Sequence, residues 1–289
     1  MKIHLLYAIA IVFSVQVLLC QAAELEQMPI KDMPKNFWWG NVDGVNYLTL
    51  QKNQHIPFYC GSCWSFAVTS SLSDRIKIMR KAKWPDILLA PQVLLSCNME
   101  NGGCHGGNPV LAYKWIKENN ITDETCSPYQ ANGHDMNVQC NSMIKCKNCQ
   151  PGKGCFAQPR AKIYGVEDYG QVITEEGIMN EVLQRGPVSC EIAITQELDD
   201  YTGGIFKDET GRIAPDHDIS ITGWGEDEAG TKYWIIRNSW GSYWGEGGDF
   251  RLIRGINNLG IEQNCSWGVP KDTWTNDVRN ETKLGPDEQ

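Results

Sequence analysis

The chain has few histidines, no excess of basic residues and no internal repetition. It holds five histidines among 289 residues, and its formal net charge is −9, which argues against nucleic acid or another polyanion as a partner. It contains no repeat and no run of heptads, so solenoid and coiled-coil architectures are excluded. The composition, 42% hydrophobic and 21% charged, indicates a soluble globular protein with one large domain or two lobes that share a core.

Long apolar runs are also missing, except at the N-terminus. There the run "LLYAIAIVFSVQVLLC" follows a basic start and precedes small residues. This pattern predicts a signal peptide over residues 1–22, cleaved near Ala22 or Ala23. The alternative is an uncleaved anchor at the short limit for spanning a bilayer. We therefore expect entry into the secretory pathway and three further segments: a short pro-segment at 23–32, a main domain at 33–270 and a polar tail at 271–289.

The cysteine count is odd once the signal peptide is removed. Of twelve cysteines, Cys20 lies in the predicted signal peptide, which leaves eleven. In an oxidising compartment most of these should pair, so one unpaired thiol is expected. Three N-x-S/T triplets predict glycosylation sites, at Asn120, Asn264 and Asn280.

Helical signals come first along the chain and strand signals follow. A helix starting at about Cys63 is predicted by apolar residues every three or four positions, at Trp64, Val68, Leu72, Ile76 and Met79. A second helix is predicted from Asn108 and Pro109 to about Asn119. From Pro187 onward the chain alternates and forms short β-rich runs such as "DISITGWG" and "KYWIIRNSWG". This order predicts an α+β protein with two lobes.

The pair in "CGSC" has several interpretations: a redox pair, half of a metal site, or one structural and one reactive thiol. Composition does not choose between Cys60 and Cys63 as the unpaired residue. Position favours Cys63, because the free N–H groups and the dipole at a helix start stabilise a thiolate. A thiolate nucleophile needs a base within hydrogen-bond reach. His217, at the start of a β-rich run, is a candidate for that base, with Asn238 as the amide that orients it.

Four motifs resemble those of papain-type cysteine proteases in order and spacing: "CGSCWSF", "CHGG", "HDISITGWG" and "YWIIRNSWGSYWGEGG". The resemblance extends over residues 33–270. Other segments, including "WPDILLAPQ" and "YTGGI", are similar to the cathepsin X branch of the family, also called cathepsin Z. The resemblance implies a papain-like fold with a helical lobe at about 44–158, a β-barrel-like lobe at about 159–265 and an active-site cleft between them.

The resemblance also implies a role for each residue of the site. Cys63 would attack the peptide carbonyl, and His217, oriented by Asn238, would hold it as a thiolate and later protonate the leaving amine. The Trp240 ring would shield the His217–Asn238 hydrogen bond from water. The Gln54 side chain and the Cys63 backbone N–H would form the oxyanion hole. On the acyl side of the cleft, backbone pairing with the substrate would fall to two glycines, Gly106 and Gly107.

The loop before the nucleophile is longer than in most of the family. Gln54 lies nine residues before Cys63, three more than is usual there, and the extra residues lie around His55-Ile56-Pro57. In the cathepsin X branch such a loop closes the leaving-group side, and its histidine binds the terminal carboxylate. The resemblance therefore implies a carboxypeptidase that removes single C-terminal residues, with His55 as the anchor. The alternative is a loop that only decorates the cleft, and Phe58 differs from the Gln typical of that branch.

Two further departures concern Asp218 and the pro-segment. Asp218 follows the catalytic histidine where the family has a small or branched residue. On a strand it should point away from the cleft, where it could find a partner or perturb His217. The pro-segment is too short for the helical inhibitory prodomain of most relatives.

The remaining ten cysteines pair by resemblance as Cys60–Cys104, Cys97–Cys140, Cys126–Cys146, Cys149–Cys155 and Cys190–Cys265. Spacing alone does not choose this connectivity, and a zinc site in "CNSMIKCKNCQPGKGC" is the alternative. With disulfides, no metal and no cofactor is expected.

The expected partners are peptide or protein substrates with a free C-terminus and cystatin-like inhibitors. We expect a monomer in the lysosome or outside the cell, with no membrane contact after signal removal. Two other functions stay open: a general papain-like endopeptidase, and an inactive binding protein on a protease fold.

Overall fold

The computed structural model of the protein describes residues 25–271. The predicted signal peptide with Cys20, the first two residues of the predicted pro-segment, the polar tail after Lys271 and the sequon at Asn280 lie outside this range.

The longest helix, α1 (Cys63–Met79), runs through the middle of the molecule. Every residue from Cys63 to Ile76 is buried, although the sequence suggested a single apolar face. The other faces carry small residues, which allow close packing against the sheet. Ser71 Oγ donates a hydrogen bond to Ser220 Oγ (3.0 Å). A wholly buried helix start fixes the position of Cys63.

The other helices are short. They are α2 (Pro91–Cys97), α3 (Pro109–Asn119), α4 (Ser142–Lys145), α5 (Glu175–Arg185) and α6 (Gln196–Asp199), with 3₁₀ turns at Ile30–Asp32, His134–Met136 and Asn258–Gly260. Helix α3 begins as predicted, because the Asn108 side chain accepts hydrogen bonds from the N–H groups of Val110 and Leu111 and Pro109 occupies the first helical position.

The strands are β1 (Phe37–Trp38), β2 (Lys147–Gln150), β3 (Gly154–Ala157), β4 (Gly165–Val172), β5 (Val188–Ile192), β6 (Ile205–Phe206), β7 (His217–Glu226), β8 (Lys232–Arg237), β9 (Asp249–Ile253) and β10 (Cys265–Lys271). Strands β2 and β3 form a hairpin of their own. The main sheet has the order β4-β10-β5-β7-β8-β9-β6, and β1 pairs with β7. Its pairs are antiparallel, except that β6 and β9 run parallel.

The structure has two hydrophobic cores, one among the first helices and one over the main sheet. The expected α+β papain-like class is confirmed. One core includes α1, α2 and α3 together with Tyr164 and Val166. The other lies over the main sheet and includes Met33, Trp39 and Leu48 from the N-terminal segment. Two buried ion pairs join α1 to elements of this second core. Asp74 pairs with Arg237 on β8, and Arg75 pairs with Glu181 on α5.

The five disulfides of the structure are the pairs implied by the resemblance: Cys60–Cys104, Cys97–Cys140, Cys126–Cys146, Cys149–Cys155 and Cys190–Cys265. The four cysteines of the alternative zinc site are all used in these bonds. Across residues 25–271, no group of three or more His, Cys, Asp or Glu side chains is arranged to hold a metal ion. In the same range, no helix has the length and apolarity needed to cross a membrane.

Candidate active site

A cleft of about 700 Å³ lies where the start of α1 meets the start of β7 and the turn after β8. Four side chains that the sequence analysis singled out line it together: Cys63, His217, Gln54 and His55. Trp240, also singled out there, lines it as well, beside residues to which the sequence analysis gave no role: Tyr59, Ile194, Asp199, Asp216, Tyr243 and Trp244.

Cys63 is the free cysteine of the described chain, and it is buried. It is the first residue of α1, where backbone N–H groups lack partners within the helix. Burial and, after it, the nearby Asp218 carboxylate raise the pKa of the Cys63 thiol. Desolvation thus acts against the thiolate, in the opposite direction to the helix dipole on which the sequence-based expectation rested.

His217 is held in one orientation by Asn238. The Nε2 atom of His217 lies 2.8 Å from Asn238 Oδ1, so Nε2–H donates to the amide oxygen and leaves Nδ1 as the basic ring nitrogen. The Trp240 ring lies 4.9 Å from the imidazole, centroid to centroid. Burial lowers the pKa of His217 to about 4, and the Asn238 hydrogen bond opposes that shift only in part. Burial thus favours the neutral form of the imidazole, the form that can accept a proton.

Gln54 is buried below the extended loop, with its amide fixed at both ends. Its Nε2 donates to the carbonyl oxygen of Cys60 (3.1 Å), and its Oε1 accepts from Ser239 Oγ (2.6 Å). Since a primary amide has two N–H donors, the second remains for the cleft. Ser239, next to Asn238 in "RNSWG", is a positioning residue that the sequence analysis missed.

The Asp218 side chain contacts the nucleophile, although the sequence predicts that it points away from the cleft. Strand alternation does turn it to the opposite face of β7 from His217, but the start of α1 packs against that face. The Cys63 thiol donates a hydrogen bond to Asp218 Oδ2, with Sγ and Oδ2 3.8 Å apart. The side chain is 6% exposed, and burial raises its pKa, with the charge of Glu191 adding to the effect.

The extended loop carries His55 into the lining of the cleft. The His55 ring stacks on Tyr59, with centroids 4.8 Å apart, and faces Trp240 at 6.4 Å. The His55 backbone N–H donates to Asn53 Oδ1 (2.9 Å), and Tyr129 donates its hydroxyl to the carbonyl oxygen of Gln54 (2.6 Å). These contacts hold a loop whose tip, Ile56 to Tyr59, is otherwise exposed.

A carboxylate stands near this histidine. Partial burial lowers the pKa of His55, while the charge of Asp199, at the end of α6, acts in the opposite direction. The second carboxylate on this side, Asp216, is paired with Arg212 and accepts a hydrogen bond from the N–H of Ile194 (2.8 Å). Neither aspartate had a sequence signal that separated it from the surface acidic residues.

Gly106 and Gly107 follow Cys104 of the Cys60–Cys104 disulfide closely. The N–H of Gly61 donates to the carbonyl of Cys104 (2.8 Å), which ties the glycine turn to the residues before Cys63. A Cβ on Gly107 would come within 2.7 Å of the Trp64 ring, so only glycine fits there. The remaining described histidines, His105 and His134, bond to Asp135 and to the Asn101 carbonyl and do not line the cleft.

Comparison with known proteins identifies the family. The papain family cysteine protease profile matches residues 33–269. The chain belongs to the papain family of cysteine proteases. Cathepsin Z of Onchocerca volvulus is 42% identical over 255 residues, covering 86% of this chain and 81% of that protein. Cathepsin B-like cysteine proteinase 5 of Caenorhabditis elegans is 33% identical, covering 80% of this chain and 72% of that one.

Solved structures of the family have the same fold. Bromelain from Ananas comosus, in complex with the E64 inhibitor, superposes with a TM-score of 0.65 at 26% identity, covering 82% of this chain and 99% of bromelain. Digestive procathepsin L 3 from the larval midgut of Tenebrio molitor gives a TM-score of 0.66 at 29% identity, covering 84% of this chain and 73% of its own. The protein is a cysteine peptidase, and its substrates are peptides or proteins.

Proposed function

We propose that this peptidase is a carboxypeptidase that removes single C-terminal residues through an acyl-enzyme on Cys63. The observation that carries the proposal is the position of His55 in the same cleft as Cys63 and His217. Its ring is held between Tyr59 and Trp240. An imidazole N–H there can donate to the carboxylate of a substrate that ends one residue after the scissile bond. The similarity to cathepsin Z of Onchocerca volvulus supports the same branch of the family.

In the proposed reaction the Cys63 sulfur attacks the scissile carbonyl carbon, and the thiol proton passes to Nδ1 of His217. The Gln54 side chain and the Cys63 backbone N–H stabilise the oxyanion. The C–N bond then breaks, and His217 gives the proton to the leaving amine, which leaves a thioester on Cys63. Water attacks the thioester, its proton returns by way of His217 to the sulfur, and the carboxylic acid departs.

Burial acts on both groups in the direction of a neutral pair, and in the proposed reaction proton transfer accompanies the attack. A buried thiol with a raised pKa and a buried imidazole with a pKa of about 4 disfavour separated charges before substrate binds. The Asn238 acceptor then stabilises the imidazolium as it forms. We place this chemistry in the lysosome or outside the cell, in keeping with the five disulfides.

Kinetics on a matched peptide pair test the role of His55. One peptide ends in a free acid and the other in an amide. In His55→Ala the KM for the free acid should rise by about 10- to 100-fold, since a hydrogen bond to a charged group contributes about 1.5–3 kcal/mol. The amide should be unaffected. His105→Ala, which removes a histidine side chain that is 80% exposed, is the matched control, and equal effects on both peptides in His55→Ala would exclude the anchor.

A general endopeptidase or an inactive binding protein predicts different results. An endopeptidase would cut the amide as fast as the free acid in the wild-type enzyme. An inactive protein would turn over neither, and its thiol would be inert to an alkylating substrate analogue. The carboxypeptidase should be labelled at Cys63, and Cys63→Ser should lose both label and activity.

A further inference from the structure

One buried carboxylate oxygen beside the nucleophile has no partner in residues 25–271. Oδ2 of Asp218 faces the Cys63 thiol, whereas Oδ1 is buried and accepts no hydrogen bond. Burying a carboxylate oxygen in this way costs free energy unless a donor or cation reaches it. Asp218 is 6% exposed, so this oxygen lies inside the protein and not on its outer surface.

A second acidic residue stands directly across the sheet. In the β5–β7 ladder Glu191 is opposite Asp218, so the two side chains emerge on the same face of the sheet and lie close together. Like charges in such a pair destabilise the folded protein. The charge of Glu191 acts on Asp218 accordingly, and burial raises the pKa of Glu191 itself.

The hydrogen bonds to this pair come from uncharged groups. Asn108 Nδ2 donates to Glu191 Oε1 (3.5 Å), and Asn264 Nδ2 donates to Glu191 Oε2. The donor to Asp218 is the Cys63 thiol. Two amides and a thiol orient the carboxylates but do not neutralise them. Asn264 is also one of the predicted glycosylation sites, and its amide nitrogen is engaged in this cluster.

The cluster adjoins Gly106 and Gly107, the residues that the family resemblance places on the acyl side of the nucleophile. Asn108 directly follows Gly106 and Gly107 and caps α3, while Glu191, on β5, accepts hydrogen bonds from Asn108 and from Asn264, the residue before β10. Glu191 is half-buried, and Asp218 contacts Cys63, which lines the cleft. The leaving-group side, with His55 and Asp199, is separate from it.

We propose that Glu191 and Asp218 form a subsite for a cationic side chain, so that the peptidase prefers substrates with lysine or arginine within two residues before the scissile bond. The lysine or arginine side chain supplies the positive charge that the cluster lacks. The proposal rests on the acyl-enzyme on Cys63 but not on the removal of single residues.

Matched peptides measure the preference directly. Lysine is compared with norleucine, which has a similar chain without the charge, at each of the two acyl-side positions in internally quenched peptides that end in a free acid one residue after the scissile bond. The wild-type enzyme should favour lysine about tenfold or more in kcat/KM at one of these positions. Glu191→Gln, which keeps the size of the side chain, should reduce that ratio to about one. Glu209→Gln, at an exposed carboxylate paired with Lys207, should leave it unchanged.

Two controls separate the possible failures. A lysine placed in the leaving residue should keep its ratio in Glu191→Gln, because it contacts the His55 side of the cleft. If no peptide is turned over, the proposed chemistry at Cys63 fails, and equilibrium binding of lysine and norleucine peptides to Cys63→Ala still tests the subsite. Equal turnover or binding of the two peptides, or a lysine preference that Glu191→Gln leaves intact, would overturn the subsite.

Discussion

The buried ion pair between Asp74 and Arg237 should make the fold around the active site sensitive to the loss of either single charge. Asp74 lies on α1, the helix that Cys63 begins, and Arg237 ends β8 one residue before Asn238. The side chains are 0% and 4% exposed. The Asp74 carboxylate also accepts hydrogen bonds from the backbone N–H and the hydroxyl of Thr49 (2.7 and 2.8 Å), so its acceptor capacity is well used.

Asp74→Asn removes the negative charge and leaves the buried guanidinium without the carboxylate that it contacts. Removing one partner of a buried pair costs about 3–5 kcal/mol, which corresponds to a decrease in Tm of roughly 6–20 °C for a domain of this size. The measurement is urea unfolding followed by tryptophan fluorescence with disulfides intact. Glu209→Gln breaks an exposed pair with Lys207 and should cost less than about 1 kcal/mol.

A second variant tests the origin of that cost. If the penalty comes from the unpaired cation, Asp74→Asn combined with Arg237→Met should recover much of the lost stability, because neutral replacement of both partners is far less costly. An Asp74→Asn variant as stable as Glu209→Gln would refute the reasoning about burial.

Three further results are expected at the site. Asn238→Ala should lower kcat about 5- to 150-fold with little change in KM, because a buried hydrogen bond worth roughly 1–3 kcal/mol to the His217 ring is lost; a change in KM alone would contradict this. Gln54→Ala should lower kcat about 100- to 1000-fold through loss of an oxyanion donor, and an unchanged kcat would remove Gln54 from the oxyanion hole. Because burial lowers the pKa of His55, the imidazolium forms only as the pH falls below its ordinary range, so the preference for free acids over amides in kcat/KM should rise with decreasing pH. Asp199→Asn should move that rise to still lower pH, and a rise unaffected by this change would show that Asp199 does not act on His55.

Local signals and motifs predicted the parts of the fold that depend on a few neighbouring residues. The apolar stripe and the Asn108-Pro109 cap located α1 and α3, and alternation located β5 and β7. The disulfides were different. Cys97 and Cys140 are 43 residues apart, and only the resemblance to a family indicated their pairing, since spacing contains no information on which distant segments meet.

The environment of the nucleophile could not be predicted, because it depends on packing between distant segments. The alternation of side chains along β7 correctly predicts that Asp218 and His217 lie on opposite faces of the strand. It does not indicate that α1 starts against the face that carries Asp218. The direction of the Cys63 pKa depends on the same burial. Tyr129 holds the carbonyl of Gln54 from 75 residues away, and no motif linked them.

The most direct test of the carboxypeptidase proposal is product analysis on one peptide prepared with a free acid and with an amide at its C-terminus. Mass spectrometry of a time course should find a ladder of products from the free acid, each shorter by one C-terminal residue, while the amide stays intact over the same period. Trimming of the amide at the same rate, or internal cleavage of both peptides before any ladder forms, would contradict the account of His55 as the carboxylate anchor.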